Sequence, residues 1–137
     1  MKLRVAVVTL LMLTFAALAL ADDKTKPAEL ASEAWLKFVD SGDYSQSWLQ
    51  ASSSFKAAVT QQQWEQQVKA AREPLGALFS RELTSAQYST TLPGMPDGQY
   101  VVIRYASSFA NKKAAVETVI VELDKDGQWR VSGYFIK

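Results

Sequence analysis

Few side chains in this 137-residue chain could do chemistry, and the missing ones narrow the field first. There is no histidine and no cysteine. That removes zinc and copper sites of the usual kind, thiol nucleophiles and any Ser-His-Asp triad. The six glycines are scattered at turns, so no phosphate-cradling loop is present. Asp124-Lys125-Asp126-Gly127 is too short for a calcium loop and reads as a turn. No cofactor and no metal are therefore expected. One carboxylate stands out. Glu117 falls on the apolar side of an alternating strand pattern, where a carboxylate is costly unless it is paired. It is then either a pocket acid that binds a ligand, or a group at a sheet end that reaches water or pairs with a nearby Lys or Arg. The candidate ligand-binding set around it is Glu117, Tyr105, Ser107, Phe135 and Trp35. Trp35, Trp48, Trp64 and Trp129 could line an aromatic pocket, although aromatics at helical spacing more often fill a core. No catalytic residue is assigned.

The elements that must position these residues can be read from periodicity. Pro27 suits the first turn of a helix. Leu30, Ala34 and Phe38 with Ala31, Trp35 and Val39 form its apolar stripe, and Ser41-Gly42 ends it. Asp43 with Gln46 caps a second helix carrying Tyr44, Trp48 and Leu49. Ser52-Ser53-Ser54 loosens it before a short turn at Phe55, Ala58 and Val59. Thr60 with Gln63 is a capping box for a further helix with Trp64, Val68 and Ala71 on its apolar line, ending before Pro74 and Gly76. From Ala77 the period changes to alternation. Leu78 to Thr90 and Tyr100 to Phe109 are strands joined by the Pro- and Gly-rich stretch from Leu92 to Gly98. The last 24 residues form a hairpin around Lys125-Asp126-Gly127 with Gly127 left-handed.

That loop fixes a register. Leu123 opposes Trp129, Val121 opposes Val131, Val119 opposes Gly133 and Glu117 opposes Phe135. The core face then collects Val119, Val121, Leu123, Trp129, Val131 and Phe135. The other face carries a Glu122–Arg130 pair and leaves Ile120, Tyr134 and Ile136 exposed. A three-residue link at Asn111-Lys112-Lys113 brings Val101, Ile103, Tyr105 and Phe109 to the same core face and Ser107 beside Glu117. The fold class is α+β: N-terminal helices packed on one face of a curved four-stranded antiparallel sheet.

Export is written at the N-terminus. A basic start, Met1-Lys2-Leu3-Arg4, precedes an uncharged apolar run from Val5 to Leu20 and the small-x-small site Ala19-Leu20-Ala21. Residues 1–21 are read as a cleavable signal peptide, 22–26 as a flexible leader and 27–137 as one domain. Periplasmic localisation is expected, with secretion beyond the cell as the alternative. Loss of Lys2 and Arg4 turns 15 basic and 14 acidic residues into a mature chain with one acidic residue in excess. Such a balance gives no reason to expect nucleic acid as a partner, and no integral membrane segment remains after cleavage. A homodimer or an envelope protein is the partner to expect.

Several segments resemble the bacterial domain of unknown function 4019 family. They are Gly42-Asp43-Tyr44 with Ser47-Trp48, Glu73-Pro74-Leu75-Gly76, Ser108-Phe109-Ala110-Asn111-Lys112, Val116-Glu117-Thr118-Val119, and the run from Gly127 to Ile136. The resemblance implies exported bacterial proteins and carries over no activity, cofactor or catalytic residue. The helix-then-meander order also looks like the nuclear-transport-factor-2-like superfamily, of cystatin-like topology, which implies a cone-shaped cavity between sheet and helices. The reading favoured is a non-catalytic ligand-binding or accessory module. One alternative is an acid/base enzyme of the ketosteroid-isomerase type, with Glu117 shuttling a proton and Tyr105 stabilising an oxyanion. A second is a dimeric interaction module using the exposed sheet face.

Overall fold

The computed structural model describes residues 24–137, so the expected signal peptide and the first leader residues lie outside the described residues. Among the described residues four helices precede four strands: α1 (Lys26–Asp40), α2 (Tyr44–Leu49), α3 (Ser53–Ala58) and α4 (Gln61–Arg72), then a short 3-10 turn (Glu73–Leu75), β1 (Leu78–Ser89), β2 (Tyr100–Phe109), β3 (Lys112–Leu123) and β4 (Trp129–Ile136). The strands pair antiparallel in the order β1-β2-β3-β4, a meander whose sheet is curved and unclosed. The α+β class expected from the sequence is the fold observed.

Helix ends follow local chemistry. Asp43 accepts from the Gln46 N–H at 3.3 Å, and Ser52 accepts from the Phe55 N–H at 3.2 Å. Thr60 and Gln63 form the reciprocal capping box. The core-facing stripe of α1 is rotated from the expected one. Leu30 is 54 % exposed, while Ala28, Ser32, Trp35, Leu36 and Val39 are buried. Ser32 can occupy that face because its hydroxyl shares a 2.8 Å hydrogen bond with Tyr105, so an outwardly polar residue is buried without cost. The rotation leaves Ala31 and Phe38 only partly covered and Ala34 exposed. On α4 the buried line is Trp64, Val68 and Arg72 in place of Ala71.

The core lies between α1, α4 and the inner face of the sheet. Val101, Ile103, Val119, Val121 and Val131 are each 1 % exposed or less, and burial of each such side chain contributes about 1.5–3 kcal/mol. Trp35 stands edge-on to Tyr134 with centroids 5.4 Å apart and lies 6.0 Å from Trp64. These rings fill the interior next to Glu117.

The hairpin keeps its expected tip. Gly127 has φ of 82°, and the Asp124 N–H donates to the Gln128 carbonyl at 2.8 Å. Leu123 pairs with Trp129 and Val121 with Val131 as expected. Beyond that the register corrects the sequence reading. A bulge gives β4 one extra residue, Ser132, so that Gly133 opposes Ile120, Tyr134 opposes Val119 and Ile136 opposes Glu117. A shift of one residue exchanges the faces. Tyr134, expected outside, turns inward, and Phe135, expected in the core, is 58 % exposed. At the other hairpin the link is one residue shorter than expected, and Phe109 opposes Lys112. A bulge between Ser107 and Phe109 then sets Tyr105 opposite Glu117 and Ser107 opposite Ala115; the net offset is two residues, so the core face is unchanged.

Candidate functional site

Glu117 is fully buried, with 0 % of its surface exposed. Its expected alternatives were a pocket acid or a paired group, and the geometry is that of a paired group. Arg81, on β1, donates from Nε to Oε1 at 2.7 Å and from Nη2 to Oε2 at 3.1 Å. Ser107 on β2 donates to Oε1 at 2.6 Å, and Tyr134 on β4 donates to Oε2. Four donors from three strands thus meet one carboxylate on the fourth. A carboxylate has about four acceptor positions, and here all are committed.

The network continues into the helices. Arg81 also grips Asp40, the last residue of α1, from Nη1 to Oδ2 at 2.7 Å and from Nη2 to Oδ1 at 2.9 Å. Arg72, at the end of α4, donates from Nη2 to Asp40 Oδ1 at 2.9 Å and reaches the Tyr134 hydroxyl at 3.4 Å. Two guanidinium groups therefore alternate with two carboxylates in a chain Glu117–Arg81–Asp40–Arg72. It joins α1 and α4 to the sheet with balanced charge. The Arg72 guanidinium also lies over the Phe109 ring, its carbon 4.8 Å from the ring centroid. Its Nε is the one buried side-chain polar atom without a hydrogen-bond partner among the described residues.

Electrostatics follow from this geometry. Burial pushes the Asp40 carboxyl up, but hydrogen bonds and charge from Arg81 and Arg72 outweigh it, and its pKa lies below the usual value. Burial opposes the charge of Arg81, yet Asp40 and Glu117 hold its pKa above the ordinary one. Tyr134 is pushed up by burial and then by the Glu117 charge, and Tyr105 by burial, which outweighs its hydrogen bond to Ser32.

Of the five expected site residues, Glu117, Ser107, Tyr105 and Trp35 all belong to the buried interior. Only Ser107 and Glu117 touch through a hydrogen bond; the Tyr105 hydroxyl is turned to Ser32, and the Trp35 indole donates to the Ser47 carbonyl at 2.7 Å. Phe135 lies on the opposite face. Arg81, Asp40, Arg72 and Tyr134 carry the network and were not singled out in the sequence. The expected Glu122–Arg130 pair stand opposite each other, but Arg130 binds Asp124 at 3.2 Å and Asp126 at 2.8 Å, while Glu122 accepts from Ser54. Arg130 prefers the hairpin-tip acids because two of them lie within its reach.

A family model described as a protein of unknown function (DUF4019) matches residues 31–134. This chain belongs to the DUF4019 family. No curated protein and no solved structure matches it. The matched range takes in the whole DUF4019 network, from Asp40 through Arg72, Arg81, Ser107 and Glu117 to Tyr134. Among the described residues of this DUF4019 chain, no helix is long and apolar enough to cross a membrane, and no group of three or more His, Cys, Asp or Glu could hold a metal ion.

Proposed function

We propose that this DUF4019 protein is an exported, periplasmic, non-catalytic module that binds a ligand, with the Glu117 network serving as the clamp that holds its helices on the sheet. The observation that carries this reading is the saturation of Glu117 by Arg81, Ser107 and Tyr134. A general base must present a lone pair to its substrate within hydrogen-bond reach. Every acceptor position of Glu117 is engaged, and the Tyr105 hydroxyl is committed to Ser32. The ketosteroid-isomerase-like alternative would have to dismantle this clamp before its first proton transfer. Export is supported by the sequence of residues 1–21.

The test compares mature wild type with Glu117→Gln in a thermal-shift screen of small metabolites, with each hit recovered and analysed by mass spectrometry. Compounds that stabilise wild type and return chemically unchanged agree with the reading. Turnover by wild type that Glu117→Gln lacks would sink it. Fractionation with N-terminal sequencing tests export, the expected mature start being Asp22.

A second reading, a homodimer through the outer sheet face, draws on one observation: Val116 and Phe135 are 46 % and 58 % exposed there. A second copy laid on that face would cover both. Sedimentation equilibrium of wild type and Phe135→Ser decides it, since only a dimer of this kind would lose mass on the substitution.

A further inference from the structure

The rotation of α1 leaves a pocket of about 340 Å³ between that helix and the start of β4, in the size range of small-molecule sites. Its apolar walls are the uncovered part of the α1 stripe, Ala31, Ala34 and Phe38, with Trp35 and Val131. Trp129, Gln50 and Gln128 add polar groups.

These polar groups are uncommitted. The indole N–H groups of Trp35, Trp48 and Trp64 donate to Ser47 O, Val59 O and Ser47 Oγ. Trp129 is the fourth tryptophan, half-buried, and among the described residues its N–H has no hydrogen-bond partner, nor do the side-chain amides of the exposed Gln50 and Gln128 at the pocket mouth. A partly buried indole N–H ordinarily finds a partner. Each glutamine amide offers both a donor and an acceptor, which matches a hydroxyl group, itself both. The one charged lining residue, Arg130, has its guanidinium donors paired with Asp124 and Asp126, which favours a neutral ligand over an anionic one.

We infer that this pocket binds one neutral sugar ring, its apolar face against Phe38 and the alanines of α1 and its hydroxyls on Gln50, Gln128 and the Trp129 N–H. The inference rests on the ligand-binding reading above and names the ligand class. Binding to a single ring that keeps one side open gives an expected Kd of order millimolar.

The test is ¹⁵N-correlation NMR of the mature protein titrated with D-glucose, N-acetyl-D-glucosamine and the trisaccharide of the latter, the last distinguishing a chain end from a free sugar. The expected result is a saturable shift of the Trp129 indole N–H and the Gln50 and Gln128 amides with at least one of them. Trp129→Phe, which keeps a ring but loses the donor, should weaken binding about fivefold. Ala34→Phe, on the exposed side of α1, should fill the pocket and abolish it, with circular dichroism confirming the fold. Absence of saturable shifts at these three groups up to tens of millimolar overturns the inference, as does binding unchanged in Ala34→Phe. Either result leaves the ligand-binding reading standing if other compounds stabilise the protein in the metabolite screen.

Discussion

Replacing Arg81 with Met isolates what the clamp contributes. The substitution keeps a long unbranched side chain and removes four hydrogen bonds at once, two to Glu117 and two to Asp40. Asp40 retains Arg72, and its side chain is 24 % exposed, so water can replace part of the loss. Glu117 is 0 % exposed and would keep only Ser107 and Tyr134. Breaking a buried pair from one side costs about 3–5 kcal/mol, because the remaining charge is left uncompensated. For a domain of this size that is roughly 10–25 °C in Tm and a large share of a total stability of about 5–15 kcal/mol. Urea unfolding followed by tryptophan fluorescence reads the loss as a fall in midpoint with unchanged slope. The companion variant, Arg81→Met with Glu117→Leu, removes both charges. A buried pair replaced by apolar groups of similar volume is often neutral, but here the Ser107 and Tyr134 hydroxyls also lose their acceptor, so the double variant should recover part of the single-variant loss. A cost below about 1 kcal/mol for Arg81→Met, or strictly additive losses in the double variant, would refute the clamp.

Four further outcomes follow from the structure. The Asp40 pKa is lower in the folded state than its ordinary 3.8, so its contribution is present above pH 3.8 and is lost as pH falls through the lower folded value. Urea midpoints should therefore hold steady near neutrality and drop below about pH 4, with Asp40→Asn flattening that limb. Tyr134 has the opposite sign: its pKa is raised above 10, its contribution is full below pH 10, and stability falls as pH rises beyond it; Tyr134→Phe should reduce that alkaline slope, read by the same unfolding curves. Gly76→Ala should cost more than Gly127→Ala, although both sit at positive φ. A Cβ at Gly76 meets Ala110 Cβ at 3.0 Å and the Asn111 amide at 3.2 Å, whereas at Gly127 it meets nothing within 4 Å, leaving only the left-handed backbone penalty of about 1–2 kcal/mol. Thr60→Ala removes the hydroxyl half of the α4 capping box, the Gln63 N–H bond to Thr60, and leaves the Gln63 side chain accepting from the backbone N–H of residue 60; it should lower stability by about 1 kcal/mol in thermal unfolding.

Elements whose signals are local were legible from the chain. The Thr60–Gln63 capping box, the Gly42 stop after α1 and the Gly127 turn are each written in adjacent residues, and each is where periodicity put it. The Tyr100–Phe109 strand was bounded to the residue. What failed was non-local. The only local hint of a bulge in Val131-Ser132-Gly133 is Gly133, an isolated glycine within a strand, because alternation reads through it without a break. Yet that one extra residue decides which aromatic meets Glu117. In unbulged pairing Phe135 faces the carboxylate and offers it no donor. With Ser132 inserted, the Tyr134 hydroxyl takes that place, and the exposed aromatic becomes Phe135.

Arg72 and Arg81 were hidden for a related reason. In a single sequence an arginine on a helix or an edge strand looks like a solvated charge, and its burial is decided by partners far along the chain: Asp40 is 32 residues from Arg72 and 41 from Arg81, and Glu117 is 36 beyond Arg81. The sequence did expose half of the problem, a carboxylate on an apolar face that required explanation. Burial of Glu117 is tolerated only because Arg81 is shared. Its guanidinium divides its donors between the deepest acid and Asp40 at the helix end, and Arg72 returns charge to Asp40 from the other side. Removing any inner member leaves its neighbour overcharged. The clamp is therefore expected to fail as a unit, with α1 and α4 released from the sheet together.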